Sequence, residues 1–462
     1  MAPLPPFVIL AAGILIVVGL IVVFRMNAFI SLIVASVAVS LLAPGEFSAK
    51  IGRVAEAFGG TVGKIGIVIA MAAVVGACLI ESGAADRIVR FFVGLFGEKR
   101  CEISLMSSGF LLSIPVFFDT VFYLLLPLAR SMHRQTKKNY LLMVLCMGAG
   151  ASITHSLVPP TPGPLILANT FGIDIGTMIL GGLLVSVPTA FVIYFFIRHV
   201  TGRVRIPMRP LGQGESDPVP APGQKPPGLF ASLLPILYPL LAISGRTVIS
   251  TLASDAGAGS ALKRAESCTS VLGDANLAMM VSAAIALAVL VRQRKPGREQ
   301  LKSIIENSLM SAGMIILITS AGGAFGEMLK TAQVGAAVQG LFMEGGRPAG
   351  GMGLLFTGFL IAFLLKFAQG SSTVSMITTS AMLATFLPTK EALGFHPVYV
   401  AAAIGFGAQC GNWMNDSGFW IFAKMGGFTE VETLKSWTVT VSVMAVIGLL
   451  ITLLFATWIP LA

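Results

Sequence analysis

Apolar runs close to the roughly 20 residues that span a bilayer recur along the chain, at residues 7–24, 175–197, 276–291 and 437–458. Only 11% of its 462 residues are charged and 55% are hydrophobic, against roughly 25% charged in a soluble globular domain. Such a chain cannot cover a water-facing surface. The sequence reads as an all-α polytopic membrane protein. Its 51 glycines and 25 prolines fall mostly inside the apolar runs, where transmembrane helices pack closely or break.

The net charge of +10 invites a nucleic-acid reading, but the basic residues are scattered through short segments and form no single patch. No nucleic-acid partner is expected. The first apolar run follows an uncharged MAPLPP and precedes Arg25 without a small-residue cleavage site, so it reads as a retained anchor rather than a signal peptide. The cysteines at 78, 101, 146, 268 and 410 show no C-x-x-C spacing. Neither a disulfide framework nor a metal site is expected, and nothing calls for a cofactor.

Orientation follows from the positive-inside rule. The dense clusters are Arg87/Arg90/Lys99/Arg100, Arg130/Arg134/Lys137/Lys138, Arg198/Arg203/Arg205/Arg209 and Arg292/Arg294/Lys295/Arg298/Lys302. Read as loop clusters and placed inside, they put both termini outside, which is periplasmic for a bacterial inner-membrane protein. Spans are expected at 7–24, 28–43 and 61–80. The stretch 103–129 has basic clusters on both sides and carries Asp119 and Thr120 at its midpoint. It reads as a re-entrant hairpin whose tip lies in the membrane. A broken helix at 140–172 and a span at 174–197 complete a first repeat, residues 1–205. A proline-rich cytoplasmic linker, 206–228, has too few apolar residues to fold.

After the linker the pattern returns over 229–462, with spans at 229–249, 273–291 and 303–326, a hairpin at 352–384, a broken helix at 397–425 and a last span at 436–459. GFLLSIPVFF at 109–118 echoes GFLIAFLLKF at 358–367, and GPLILANTFGI at 163–173 echoes GFWIFAKMGGF at 418–428. The second copy starts from the opposite face, which makes an inverted-topology repeat. The helix breaks fall at THSLVPPTPGP (154–164), KFAQGSSTVSM (366–376) and CGNWMNDSGFW (410–420). Broken helices are tolerated in hydrocarbon only where the freed backbone is buried in protein or lines a wet cavity. In repeat-built transporters such breaks meet near the midplane and form the substrate site, where half-helix N-termini favour anions.

Together with GFLLSIPVFFDTVFYLLLPLA and NDSGFWIF…ETLKSWTV, these motifs resemble the gluconate permease family of proton symporters, within the ion-transporter superfamily. The resemblance runs from about residue 67 to 437 and is weak over the first two spans and the linker. It implies uptake of a sugar acid or other small hydroxy-carboxylate coupled to protons, at a bacterial inner membrane. It also implies a scaffold domain that dimerises and a mobile domain that moves as an elevator. The chain departs from the family's pattern at Asp119, where members often carry Glu, and in its long linker. Some relatives carry D-serine or related acids instead, so the substrate stays open.

Asp119 is the first candidate for the proton site, since a carboxylate inside an apolar hairpin is costly and defaults to function. Its alternative is a cap on the second hairpin helix. Asp416 has the same two readings, with Asn415 and Ser417 beside it. His155 stands among Thr154, Ser156 and the prolines, as a donor to a carboxylate or as a structural donor. Gln369, Gly370, Ser371, Ser372 and Thr373 form the second hairpin tip, suited to a polyhydroxylated acid or to helix capping. Thr120, Thr161, Gly163, Asn412 and Gly418 complete the expected substrate set. Pro115, Pro159, Pro160 and Pro162 hold the breaks. Lys366 could pair with the anion or snorkel to the outer interface. Glu81 and Glu327 read as interfacial or structural.

The function expected is proton symport of a small anion by alternating access. No Walker motif occurs, so ATP is not the energy source. Sodium coupling is the alternative within transport, because broken-helix carbonyls with hydroxyls also suit Na+. The alternative from another class is an intramembrane enzyme, with His155, Asp119 or Asp416 as acid/base groups and a serine as nucleophile, but the sequence has neither G-x-S-x-G nor H-E-x-x-H.

Overall fold

The computed structural model describes residues 5–204, 206–209, 226–253, 261–333, 351–384, 387–388, 390–414 and 416–461. Every regular element among them is helical. The chain opens with α1 (Pro6–Val18), α2 (Ala28–Leu42), α3 (Ala49–Glu81) and α4 (Ala84–Phe96). It continues through α5 (Cys101–Leu112), α6 (Phe118–Thr136), α7 (Tyr140–Leu157), α8 (Pro162–Phe171) and α9 (Ile175–Arg203). Then come α10 (Leu229–Ala253), α11 (Ala261–Leu272), α12 (Ala275–Arg294) and α13 (Arg298–Thr331). The last group is α14 (Gly351–Gln369), α15 (Ser372–Leu383), α16 (Lys390–Leu393), α17 (Val398–Gly407), α18 (Ser417–Gly426), α19 (Glu430–Thr433) and α20 (Val439–Trp458). Among the described residues, seven helical stretches are long and apolar enough to cross a membrane.

Local chemistry sets where these helices start. Asn27, Asn139, Asp174 and Asp274 each accept a backbone N–H from the first turn of α2, α7, α9 and α12, a cap worth about 1 kcal/mol. Pro162 begins α8 at the first-turn position where its missing N–H costs nothing. Arg87 and Arg90 lie on α4 rather than in a loop. That segment is amphipathic, and Ala84, Ala85, Ile88 and Val89 on its other face are buried.

Two sets of packed helices result. In one, α3 lies against α12 and α13, α2 packs on α13, and α10 packs on α12 and α11. In the other, α5 packs on α7, α14 on α17, α8 on α15 and α18 on α6. The long helices α9 and α20 pack along each other, and α9 also meets α10. Glycine permits the tightest of these approaches. A Cβ on Gly150 would sit 2.2 Å from the Met106 carbonyl oxygen, and one on Gly407 would sit 2.3 Å from that of Phe359. In each case a helix meets its neighbour at backbone distance, as small residues allow in membranes.

The head of the 206–228 segment, residues 206–209, is docked. Arg209 forms two hydrogen bonds with the Glu432 carboxylate, 2.6 and 2.7 Å, and donates to the Gly427 carbonyl at 2.9 Å. Arg130 Nη2 donates in turn to the Arg209 carbonyl at 2.9 Å. Positions 210–225 of the expected linker lie outside the described residues.

Candidate functional site

Lys366 is the hub of the polar interior. It sits on the last turn of α14 with its side chain fully buried. Its ammonium is paired with the Asp416 carboxylate and donates to the Gly370 carbonyl at 2.5 Å. The Asp119 carboxylate lies within Coulombic reach of the same ammonium. Three segments distant in sequence therefore converge on one charge: α6, the α14–α15 tip and the start of α18. The snorkelling alternative for Lys366 fails, because the side chain turns inward to Asp416 instead of toward an interface. A buried ammonium needs such company, since an unpaired one costs several kcal/mol.

Asp416 caps α18, accepting the Phe419 N–H at 3.2 Å through one oxygen, while the other faces Lys366. Asp119 does not cap. The helix begins one residue earlier, at Phe118, and no side chain closes its N-terminus. The Asp119 carboxylate is thus free for another task. Phe118 fixes the start of this helix by stacking on Trp437, with ring centroids 5.6 Å apart.

The α7–α8 break runs beside this centre. Thr154 donates to the Phe110 carbonyl at 2.8 Å and Thr161 to the Val158 carbonyl at 2.7 Å, so both hydroxyls hold the break. His155 packs edge-on against Phe117 with centroids 6.1 Å apart, and its buried Nδ1 has no hydrogen-bond partner. Ser156 is buried where α17 crosses, its carbonyl against Gly405. Gly163 lies against Met376 of α15. Pro115, Pro159 and Pro160 come together on a different face, against the apolar Ile236, Pro239, Ile243 and Met279. Pro162 heads α8.

At the second tip, Gly370 adopts a left-handed φ of 85°. Ser371 caps α15 by accepting the Val374 N–H at 3.3 Å, and Ser372 and Thr373 are half-buried. The side chain of Gln369 lies outside the described residues, as does Asn415. Asn412 is buried in the α17–α18 break with its Oδ1 unpartnered. Gly418 touches Asp416, Phe118 and Asn412. Ser417 is exposed. The two breaks are joined directly: Ser152 donates to Gln409 Oε1 at 3.0 Å, and Gln409 Nε2 returns to the Ser152 carbonyl at 2.8 Å.

Thr120 opens onto a cleft of about 330 Å³ between the α5–α6 tip and helices α3 and α13. Its polar lining on α13 is Asn307, Ser308 and Ser311, residues the sequence reading passed over. Their spacing puts them on one helix face, which was the available signal. Lys366 had a signal as well, as the one basic residue in an apolar arm. Among the described residues, no group of His, Cys, Asp and Glu has metal-site geometry. The arrangement suits a carrier: a buried ammonium paired with Asp416 and in the field of half-buried Asp119, unpartnered polar atoms, and a cleft at Thr120 within the roughly 300–1,000 Å³ of small-ligand pockets.

Comparison with known proteins agrees with this. A family model described as GntP family permease matches residues 5–458. A gluconate permease of Bacillus subtilis (strain 168) is 28% identical over 451 residues, covering 96% of this chain and 98% of the relative. The inner membrane permease YgbN of Escherichia coli (strain K12) is 30% identical over 453 residues, covering 96% of each. The high-affinity gluconate transporter of the same organism is 28% identical over 444 residues, covering 96% of this chain and 98% of the relative. Among solved structures, the Alcanivorax borkumensis YdaH transporter superposes with a TM-score of 0.64 at 14% identity, covering 94% of this chain and 98% of that one. Neisseria gonorrhoeae MtrF does so with 0.62 at 16% identity, covering 97% of each. These two likenesses concern the fold.

Proposed function

The chain belongs to the GntP family of permeases, and from that premise we propose that it imports a small sugar-acid or hydroxy-carboxylate anion, gluconate-like, together with a proton. It is a multi-pass membrane transport protein and not an enzyme. The observation that carries the proposal is the buried Lys366 held between Asp416, the Gly370 carbonyl and the field of Asp119.

Charge accounting gives the coupling. With both carboxylates ionised, the triad carries one net negative charge. Adding a substrate anion alone would double it, and moving that through a low-dielectric barrier is costly. Protonating Asp119 as the anion binds restores the starting charge. The loaded and empty carriers then face the same electrostatic barrier, whereas an anion without its proton faces a higher one. Asp119 suits the proton because it caps nothing, while Asp416 is engaged by both Phe419 and Lys366. His155 Nδ1 and Asn412 Oδ1 are the buried polar atoms that a hydroxy-carboxylate can satisfy. Thr120 lines the cleft at the α5–α6 tip, with Asn307, Ser308 and Ser311 facing it from α13.

The same reading includes an inverted repeat with re-entrant hairpins, and the packing pairs support it. The contacts α5 with α7, α8 with α15 and α7 with α9 have counterparts in α14 with α17, α18 with α6 and α17 with α20. We place the α5–α8 and α14–α18 group as the mobile elevator domain, and α2, α3, α12 and α13 as the scaffold that dimerises. Both termini lie on the periplasmic side of a bacterial inner membrane in this reading. Labelled gluconate uptake into proteoliposomes tests it, under an inward proton gradient and then an inward Na+ gradient. Accumulation driven by protons alone is expected; accumulation driven only by sodium overturns the coupling.

A further inference from the structure

We propose that the cleft between α5 and α9 is a binding site for a phospholipid with an anionic headgroup. The cleft encloses about 930 Å³ and is lined by α4, α5, α9 and the α6–α7 turn. None of Asp119, Lys366, Asp416 or His155 lines it, so it is separate from the transport site and its fate is independent of that reading.

Its two ends differ in chemistry. Lys99, Arg100, Lys138 and Arg198 stand at one end, and Phe92, Met106, Phe110, Val187, Phe191 and Phe195 form the wall leading away from them. The acidic residue at the mouth, Glu102, is paired with Lys138 at 2.9 Å. Lys99, Arg100 and Arg198 are exposed and, among the described residues, form no salt bridge. The mouth therefore carries an uncompensated positive charge, above an apolar wall in which Val187, Phe191 and Phe195 are 57%, 66% and 52% exposed.

Length fits one leaflet. At about 1.5 Å per residue, the α9 wall from Val187 to Arg198 rises roughly 16 Å, about half of the ~30 Å hydrocarbon core. An acyl chain lying along Phe191 and Phe110 would bring its phosphate to the level of Arg100 and Arg198. Lipid around an ordinary apolar helix face has no such pair of walls and no preferred headgroup. Basic pockets between membrane helices are where anionic headgroups are selected.

The test is native mass spectrometry of the full-length protein in detergent, titrated with dioleoyl phosphatidylglycerol and, separately, dioleoyl phosphatidylcholine. The wild type is expected to retain the anionic phosphatidylglycerol preferentially. Arg100→Gln/Arg198→Gln should weaken that preference by about 5-fold per charge removed, roughly 25-fold together. Arg292→Gln/Arg298→Gln, the same charge loss away from the cleft, should leave it intact. Equal retention of the two lipids by the wild type overturns the proposal, as does an equal loss in both variants. If sn-glycerol 3-phosphate competes as well as the whole lipid, the site is for a phosphate anion and the lipid assignment fails. A lipid-free dimer that dissociates when Arg100 and Arg198 are replaced would assign the cleft to a second copy of the chain.

Discussion

Lys366 and Asp416 are paired inside the protein, with side chains 0% and 9% exposed, one at the end of a hairpin arm and the other at the start of α18. Removing one partner strands the other. Lys366→Met should leave Asp416 buried and uncompensated, at a cost of about 3–5 kcal/mol, and lower the thermal midpoint sharply. Lys366→Met/Asp416→Asn, with neither charge, should recover much of that stability. Uptake should stay absent in both, because the ammonium that holds the Gly370 carbonyl and acts on Asp119 is gone, even though the double variant keeps the net charge of the triad. Thermal unfolding and proteoliposome uptake read the two effects separately. A double variant that regains transport would reduce the pair to a structural tie.

Asp119 differs from Asp416 in making no cap, so its replacement should spare the fold. Asp119→Asn mimics the protonated side chain. Proton-driven accumulation should disappear, while exchange of labelled for unlabelled substrate persists without dependence on pH. Accumulation with the wild-type pH profile would remove Asp119 from the coupling mechanism.

His155 offers a buried Nδ1 with no partner beside the ring of Phe117. Were it a structural donor, His155→Phe would lower stability; the ring packing alone is kept by phenylalanine. We expect an unchanged thermal midpoint and a KM for substrate raised by about 10- to 100-fold, the worth of a hydrogen bond to a charged group. A fall in stability with KM preserved would return the imidazole to a structural role.

The sequence made the breaks legible because proline and glycine announce lost helix at any position. It also made Asp119 and Asp416 stand out, since a carboxylate in an apolar run is conspicuous. It could not tell which of them caps a helix, because that depends on whether the helix starts at Phe118 or two residues later. Lys366 was ambiguous for a similar reason. A flexible ammonium reaches a membrane interface or a buried partner equally well, and only the fold puts Asp416 beside it. The polar face of α13 escaped notice because Asn307, Ser308 and Ser311 are ordinary surface residues until the tip carrying Thr120 packs opposite them. The helical character of α4 was hidden by its arginines, which lie on the face away from buried Ile88 and Val89.

Gly150 and Gly407 set the distance between each broken helix and the hairpin arm beside it. An added methyl would meet a backbone carbonyl in both places, at 2.2 and 2.3 Å, and a backbone cannot rotate away as a side chain can. Gly150→Ala and Gly407→Ala should each force the helices apart, destabilising by about 1–3 kcal/mol and lowering uptake. Gly59→Ala on α3 is the control, since a Cβ there meets nothing within 4 Å. It removes the helix-propensity penalty of glycine, so it should be neutral or stabilising by up to about 1 kcal/mol. Thermal midpoints of the three variants decide the matter. If Gly150→Ala matches Gly59→Ala, the α5–α7 contact is looser than backbone contact, and the hairpin arm is free to move independently of the broken helix.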